Sequence, residues 1–118
     1  MGKTDETVIL PKDRDEKTAV TIPNARLVVL TGPQSGMEFP INKTKLVLGR
    51  SDESDLVFEY PGISRVHAEI VYEREFSIRD LESTNGVVVN GIKVESQKLE
   101  SGDKIKLGEL VFQFILLD

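Results

Sequence analysis

The sequence has no cysteine and a single histidine, His67, among its 118 residues. The missing cysteines exclude disulfides, thiolate nucleophiles and cysteine-ligated zinc or iron–sulfur sites. One imidazole leaves no histidine pair for a metal, so neither a metal site nor a cofactor is expected. Long apolar runs are also lacking. The longest, about half a dozen residues near Leu110–Leu117, falls far short of the ~20 that a membrane-spanning helix needs. No basic-then-apolar segment of the signal type opens the chain. Basic residues are outnumbered 15 to 20, giving a net charge of −5. An acidic surface disfavours non-specific nucleic-acid binding, although a local basic pocket survives it. The expected class is a small, acidic, soluble cytoplasmic protein, with neither nucleic acid nor membrane among its partners.

What is present points to one domain. Apolar residues make up 39%, and nine glycines supplement them, within the ordinary range for globular chains. A chain of this length buries on the order of two-thirds of its unfolded surface in a single core. The segment Met1–Asn24 stands apart: four basic and five acidic residues, two prolines and no aromatics. It cannot supply a core of its own. Only Val8, Ile9 and Leu10 cluster in it, so it is expected to be a flexible tail (residues 1–24) before a domain at residues 25–118. The alternative is an extra edge strand around Thr7–Leu10.

From Arg26 onward, short β-rich runs recur, broken by turn residues. They are Arg26–Thr31, Met37–Ile41, Lys45–Gly49, Leu56–Phe58, Ala68–Tyr72, Phe76–Asp80, Val87–Val89, Ile92–Val94, Lys104–Leu107 and Leu110–Leu117. In Phe76-Ser77-Ile78-Arg79 the apolar residues alternate, the period-2 pattern of a half-buried strand. Lys45–Leu48 and the final run are more continuously apolar, which predicts burial on both faces. No window carries a convincing 3.6-residue repeat. The expected fold is an all-β antiparallel sandwich of about ten to eleven short strands, with little or no helix. Asn85-Gly86 and Asn90-Gly91 are the strongest turn signals, since both residues of such a pair accept the positive φ that tight hairpins require.

Catalysis finds little support. A nucleophile needs a base beside it, and His67 is the only imidazole. The carboxylates are scattered through turns and strand edges. Gly32-Pro33-Gln34-Ser35-Gly36 lacks the lysine and the helix of a phosphate-binding loop. Asn42-Lys43-Thr44 matches a glycosylation sequon by chance. The chain is expected not to be an enzyme.

Four spaced elements remain. Gly49-Arg50 ends a strand, and Ser64-Arg65-Val66-His67 fills the turn before another. Ser83-Thr84-Asn85-Gly86 follows Asp80-Leu81, and Asn90-Gly91 comes shortly after. In this order, on a helix-free β pattern, they resemble the forkhead-associated (FHA) domain family over about Ala25–Asp118. The resemblance implies a phosphothreonine-peptide-binding adaptor acting downstream of a Ser/Thr protein kinase. By resemblance, Arg50 contacts the phosphate, Ser64 donates its hydroxyl, Thr84 lies alongside and Arg65 adds positive charge. Asn85 holds the peptide backbone extended. Gly49, Gly86 and Asn90 let the loops turn and approach each other, while His67 braces the binding loop. The physics agrees: a phosphothreonine is close to a dianion with three strong acceptor oxygens, and capturing it needs a fixed cation and donors on a rigid frame. In this family a residue three places beyond the phosphothreonine carries further specificity. Ser51–Asp55 and Gly108-Glu109 are the candidate walls for it.

Thr4, Thr7, Thr18 and Thr21 lie in or beside the tail. Thr7, preceded by Asp5-Glu6 and followed by Val8-Ile9-Leu10, is the candidate phosphorylation site. Small FHA proteins of bacteria exist in which a phosphorylated N-terminal threonine folds back into the domain's own pocket. Here the tail lacks the paired threonines of those proteins. A flexible span of roughly 23 Å separates Thr7 from Ala25, so reach is no obstacle. Two other functions compete. One is a phosphate-independent structural or oligomerising sandwich that binds proteins through a sheet face. The other is a bacterial regulator that docks directly onto metabolic enzymes. The chain stops directly after its last apolar strand, which suits a module of a larger regulator as well as a free-standing adaptor.

Overall fold

The computed structural model describes residues 6–9 and 19–117. None of these residues is helical, and no helix long and apolar enough to cross a membrane exists among them. Strands β1 (Glu6–Ile9) and β2 (Ala19–Ile22) pair antiparallel as a separate two-stranded sheet, with Thr7 opposite Thr21. Eleven further strands form two sheets. The larger runs in the order β10 (Ile92–Val94), β9 (Val87–Val89), β12 (Lys104–Leu107), β13 (Leu110–Leu116), β3 (Ala25–Val29), β4 (Glu38–Pro40). The smaller runs β11 (Ser96–Lys98), β8 (Phe76–Asp80), β7 (Ala68–Tyr72), β5 (Lys45–Gly49), β6 (Leu56–Val57). Pairing within both sheets is antiparallel, except that β5 and β6 run parallel. This is the sandwich that the short β runs and glycine-rich turns predict.

Alternation builds the core. Leu27 and Val29 of β3, Ile105 and Leu107 of β12, and Leu110, Phe112 and Phe114 of β13 all face inward. They meet Leu46 and Leu48 of β5, Ile70 of β7 and Ile78 of β8 from the other sheet. Burying each such side chain contributes about 1.5–3 kcal/mol before entropy is counted. Phe76 and Phe114 join the sheets edge to face, with ring centroids 5.2 Å apart.

Four details depart from the sequence pattern. The last strand is not buried on both faces: Val111, Gln113 and Ile115 are only half-buried on its outer side. Lys45 and Val47 likewise leave one face of β5 open, and β7, with Glu69 and Val71 both buried, is the strand covered on both sides. Strand β11 has no apolar residue to announce it, yet Ser96-Gln97-Lys98 completes the edge beside β8. Of the two Asn-Gly pairs, only Asn90-Gly91 (φ 50° and 87°) joins a two-residue hairpin, β9 to β10. Asn85-Gly86 instead closes the loop that enters β9 from β8.

The segment read as a tail contains the β1–β2 ribbon, with β1 at the position of the alternative edge strand. Moreover, Ile22 is 1% exposed and belongs to the core cluster. The core therefore includes a residue upstream of Ala25.

Register sets the two ends of the sandwich. Leu48 lies opposite Ala68, and Ala68 opposite Asp80. In the other sheet Val87 lies opposite Leu107, which pairs with Leu110. The loops after β5 and β8, and before β7, β9 and β13, consequently gather at one end. Asn24 and Leu117 meet at the opposite end, where the Leu117 amide donates to the Asn24 carbonyl at 2.7 Å.

Candidate functional site

Three loops interlock at the gathered end. The Arg50 amide donates to the Ser64 carbonyl at 3.0 Å, and the Ser51 amide to the Arg65 carbonyl at 3.1 Å. The close approach needs a residue without a side chain at the end of β5. A Cβ on Gly49 would stand 2.1 Å from the Arg65 carbonyl oxygen and 2.7 Å from Ser54 Oγ. Asp55 secures the outer limb of the Arg50 loop. Its carboxylate accepts from Lys43 Nζ at 2.6 Å and from the Val47 amide at 2.7 Å. Burial pushes this carboxyl up, but the Lys43 hydrogen bond, the Val47 amide and the Lys43 charge together hold it below the usual carboxylate value.

His67 is fully buried and ties two loops together. Its Nδ1 accepts the Ser64 amide at 3.0 Å. A backbone amide can only donate, so the ring proton sits on Nε2 and is donated to the Gly86 carbonyl at 2.8 Å. Ser64 Oγ accepts the Thr84 amide at 3.0 Å, which leaves the hydroxyl proton free to point at a ligand. Within the third loop, Asp80 accepts from Ser83 Oγ at 2.5 Å and from the Ser83 amide at 3.2 Å, while the Gly86 amide donates to Ser83 Oγ at 2.8 Å. This Asp80–Ser83 clamp holds Thr84 and Asn85 outward. The residue types, an aspartate three positions before a serine, carry the turn signal in the sequence, but no role was expected of them there.

Arg50 is exposed, and its guanidinium makes one hydrogen bond among the described residues, from Nε to the Ile63 carbonyl at 3.1 Å. The stem is thus oriented while both terminal nitrogens stay open. Arg65 and Thr84 are exposed beside it in the chain segments just described. Asn85 spends one amide hydrogen on the Gly62 carbonyl at 2.9 Å, keeping its oxygen and second hydrogen. Arg50, Ser64, Thr84 and Asn85 therefore share one rim, braced by His67, Gly49 and Gly86. The arrangement offers a fixed cation, a free hydroxyl and a half-used amide around one opening, which suits a multiply charged anion with an extended chain attached.

Asn90 lies elsewhere. At the far end of β9 its side chain donates to Asp103 Oδ1 at 2.9 Å and accepts the Lys104 amide at 3.0 Å, so it fixes a different turn. Thr7 belongs to the β1–β2 ribbon and not to the rim. Beside Asn85 opens a cleft of about 380 Å³, bounded by Pro61, Gly62, Gly86, Lys106, Gly108 and Glu109 among others. Gly62 and Gly108 make this contact back to back: a Cβ on Gly108 would fall 2.5 Å from the Gly62 carbonyl carbon. Gly108-Glu109 thus forms a wall there, whereas Ser51–Asp55 does not line the cleft.

A family model described as FHA domain matches residues 46–108, just over half of the chain. An oxoglutarate dehydrogenase inhibitor of Corynebacterium efficiens is 38% identical over 93 residues, covering 78% of this chain and 66% of its own length. The glycogen accumulation regulator GarA of Mycobacterium tuberculosis is 36% identical over 93 residues, 78% of this chain and 57% of GarA. The chain spans slightly under two-thirds of the first of these relatives and less of the second. Among solved structures, one from a structural and functional analysis of phosphothreonine-dependent FHA domain interactions superposes with a TM-score of 0.75 at 27% identity. The match covers 80% of this chain and 98% of that one.

Proposed function

Because this chain belongs to the FHA domain family, we propose that it is a non-enzymatic cytoplasmic adaptor that binds proteins whose threonines a Ser/Thr protein kinase has phosphorylated. One observation carries the reading: Ser64 Oγ accepts the Thr84 amide and keeps its proton free for an incoming acceptor, beside a guanidinium whose two terminal nitrogens have no partner among the described residues. Arg50 takes the phosphate, Ser64 donates to it, Thr84 borders it and Arg65 adds field. Asn85 engages the peptide backbone on the way to the cleft bounded by Gly108-Glu109. Charge-assisted hydrogen bonds contribute roughly 1.5–3 kcal/mol each. Two or three of them supply much of the ~8 kcal/mol that micromolar binding represents.

The testing experiment is a titration with one peptide in three forms: phosphothreonine, phosphoserine and unmodified threonine. Phosphothreonine is expected to bind tightest and the unmodified peptide not at all. The missing methyl of phosphoserine should cost about ten- to a hundredfold. Equal binding of the unmodified peptide would sink the reading.

A second reading is favoured by the relatives' names, an oxoglutarate dehydrogenase inhibitor and a glycogen accumulation regulator. In it the same rim, empty of phosphopeptide, docks onto a metabolic enzyme. Adding the purified chain to an oxoglutarate dehydrogenase assay, with and without competing phosphopeptide, tests it. Inhibition relieved by the peptide is the expected result, and undiminished activity is the contrary one.

A further inference from the structure

Three lysines stand on the outer face of the six-stranded sheet, next to the loop that carries Asn85. Lys93 in β10 and Lys106 in β12 both lie opposite Val88 of β9, one on each side. Neighbouring strands are ≈ 4.8 Å apart, so the two lysines flank Val88 and lie about 10 Å from each other. Lys104, two residues before Lys106, projects from the same face. The Lys93 stem lies back over the binding loop: a Cβ on Gly86 would fall 2.4 Å from Lys93 Cε and 3.3 Å from Nζ. Lys106 lines the cleft that Asn85 and Gly86 share. Among the described residues the ion pairs are made by Arg26, Lys43, Arg79 and Lys98, and by none of these three lysines. Glu109, the carboxylate on the cleft lining, comes from the Gly108-Glu109 turn and likewise has no paired cation among the described residues.

We propose that Lys93 and Lys106, with Lys104 beyond them, form an anion track for acidic side chains on one flank of the phosphothreonine ligand, the flank that crosses Asn85. The proposal rests on the phosphothreonine reading of the Arg50–Ser64 rim and extends it to the composition of the ligand. Two facts favour this occupant. The track is continuous with the rim through Gly86 and the shared cleft, so a peptide passing Asn85 arrives between the two ammonium groups. And in a chain of net charge −5, these neighbouring free lysines form a local positive stripe, which a carboxylate-bearing peptide complements and a basic one does not. Val88, half-buried between them, gives the aliphatic stems and the peptide an apolar floor.

The test uses phosphothreonine peptides with three glutamates placed after the phosphothreonine, three placed before it, or glutamines at all six positions, titrated at low and physiological salt. Exposed pairs are individually weak, so the expected gain is about five- to tenfold for glutamates on one flank only, shrinking with salt. That ratio should fall to near one in the Lys93→Gln/Lys106→Gln double variant. It should persist in Lys45→Gln/Lys98→Gln, which makes the same charge change on the other sheet. Equal gains from either flank, or a ratio untouched by Lys93→Gln/Lys106→Gln, would overturn the track while leaving the rim intact. If no phosphothreonine peptide binds, both the rim and the track fall together. Single-stranded RNA bound through Lys93 and Lys106, with no advantage for the acidic peptides, would assign the stripe to nucleic acid and refute the proposal.

Discussion

His67 donates from Nε2 to the carbonyl of Gly86 at 2.8 Å, joining the loop before β7 to the loop before β9 across nineteen residues. Its other nitrogen holds the Ser64 amide, so one buried ring sets the spacing between Ser64 and the Thr84–Gly86 turn. His67→Ala strands a half-buried amide and a buried carbonyl and leaves a cavity, which should cost about 2–4 kcal/mol. Urea denaturation measures it. Phosphopeptide affinity should weaken as well, even where the variant is folded. A midpoint shifted by less than a tenth of the wild-type value would mean the brace is dispensable.

Arg50 is oriented by its own Nε hydrogen bond to Ile63 and exposed beyond it. Arg50→Ala should lower phosphopeptide affinity at least a hundredfold while moving the thermal midpoint little, since no buried surface is lost. Arg50→Lys keeps the charge but neither the Nε donor nor the planar fork, and should recover only part of the loss. Isothermal titration of both variants checks this; full recovery by lysine would argue for a point charge over a fork.

Much of this was legible in the sequence, and the exceptions have physical causes. Short β-rich runs between turn residues located ten of the strands, and several of them alternate because one face of each sheet meets the core. Ser96–Lys98 escaped because an exposed edge strand has no apolar face to display. Leu110–Leu116 looked buried throughout because Val111 and Ile115 are apolar on the outer face as well, and composition cannot tell the two faces apart. Ile22 was hard to place in the core because Ala19-Val20-Thr21-Ile22 is a short run between the charged stretch ending at Lys17 and Pro23. Arg50, Ser64, Thr84 and Asn85 could be named from motif order; the Asp80–Ser83 clamp is a local side-chain hydrogen bond whose residue types only hint at a turn, and the lysines beside Val88 emerge only from register.

Asp55 should give the fold a measurable acid dependence. Its carboxyl lies below the usual value in the folded state, so ionisation stabilises the fold above the unfolded-state value. That stability is lost as pH falls below about 5 and through the lowered folded value. In Asp55→Asn the acid limb of stability should be shallower there, and stability at pH 7 lower by less than about 1 kcal/mol. Urea titrations from pH 7 to pH 3 provide the comparison. Parallel curves for the two proteins would show that Asp55 is not part of the acid response.

Gly49→Ala tests the crossing beneath Arg50. The added methyl would overlap the Arg65 carbonyl, backbone that can yield only by separating two loops. A cost of about 1–3 kcal/mol is expected, with phosphopeptide affinity lost together with the Ser51–Arg65 hydrogen bond. Chemical shifts of Ser51 and Arg65 report whether the loops have parted. A variant of wild-type stability and affinity would show that the crossing relaxes freely.

The ribbon bears on Thr7. Ile22 is anchored in the core, at the end of the sandwich where Asn24 meets Leu117, so fifteen residues separate the anchor from Thr7. If the ribbon opened, a random coil of fifteen residues would span roughly 21 Å. Within one molecule, a phosphorylated Thr7 can reach the rim only if β1 leaves β2, since pairing fixes Thr7 opposite Thr21. Tethering then presents the phosphothreonine at about millimolar effective concentration. Phosphorylation of Thr7 should therefore raise the apparent Kd of an added phosphopeptide by about a hundredfold, independently of protein concentration, and shift the amide resonances of Ser64, Thr84 and Asn85. Loss of added-peptide binding that appears only at high protein concentration would instead indicate capture by a second molecule. Unshifted resonances would remove Thr7 as a ligand for this site.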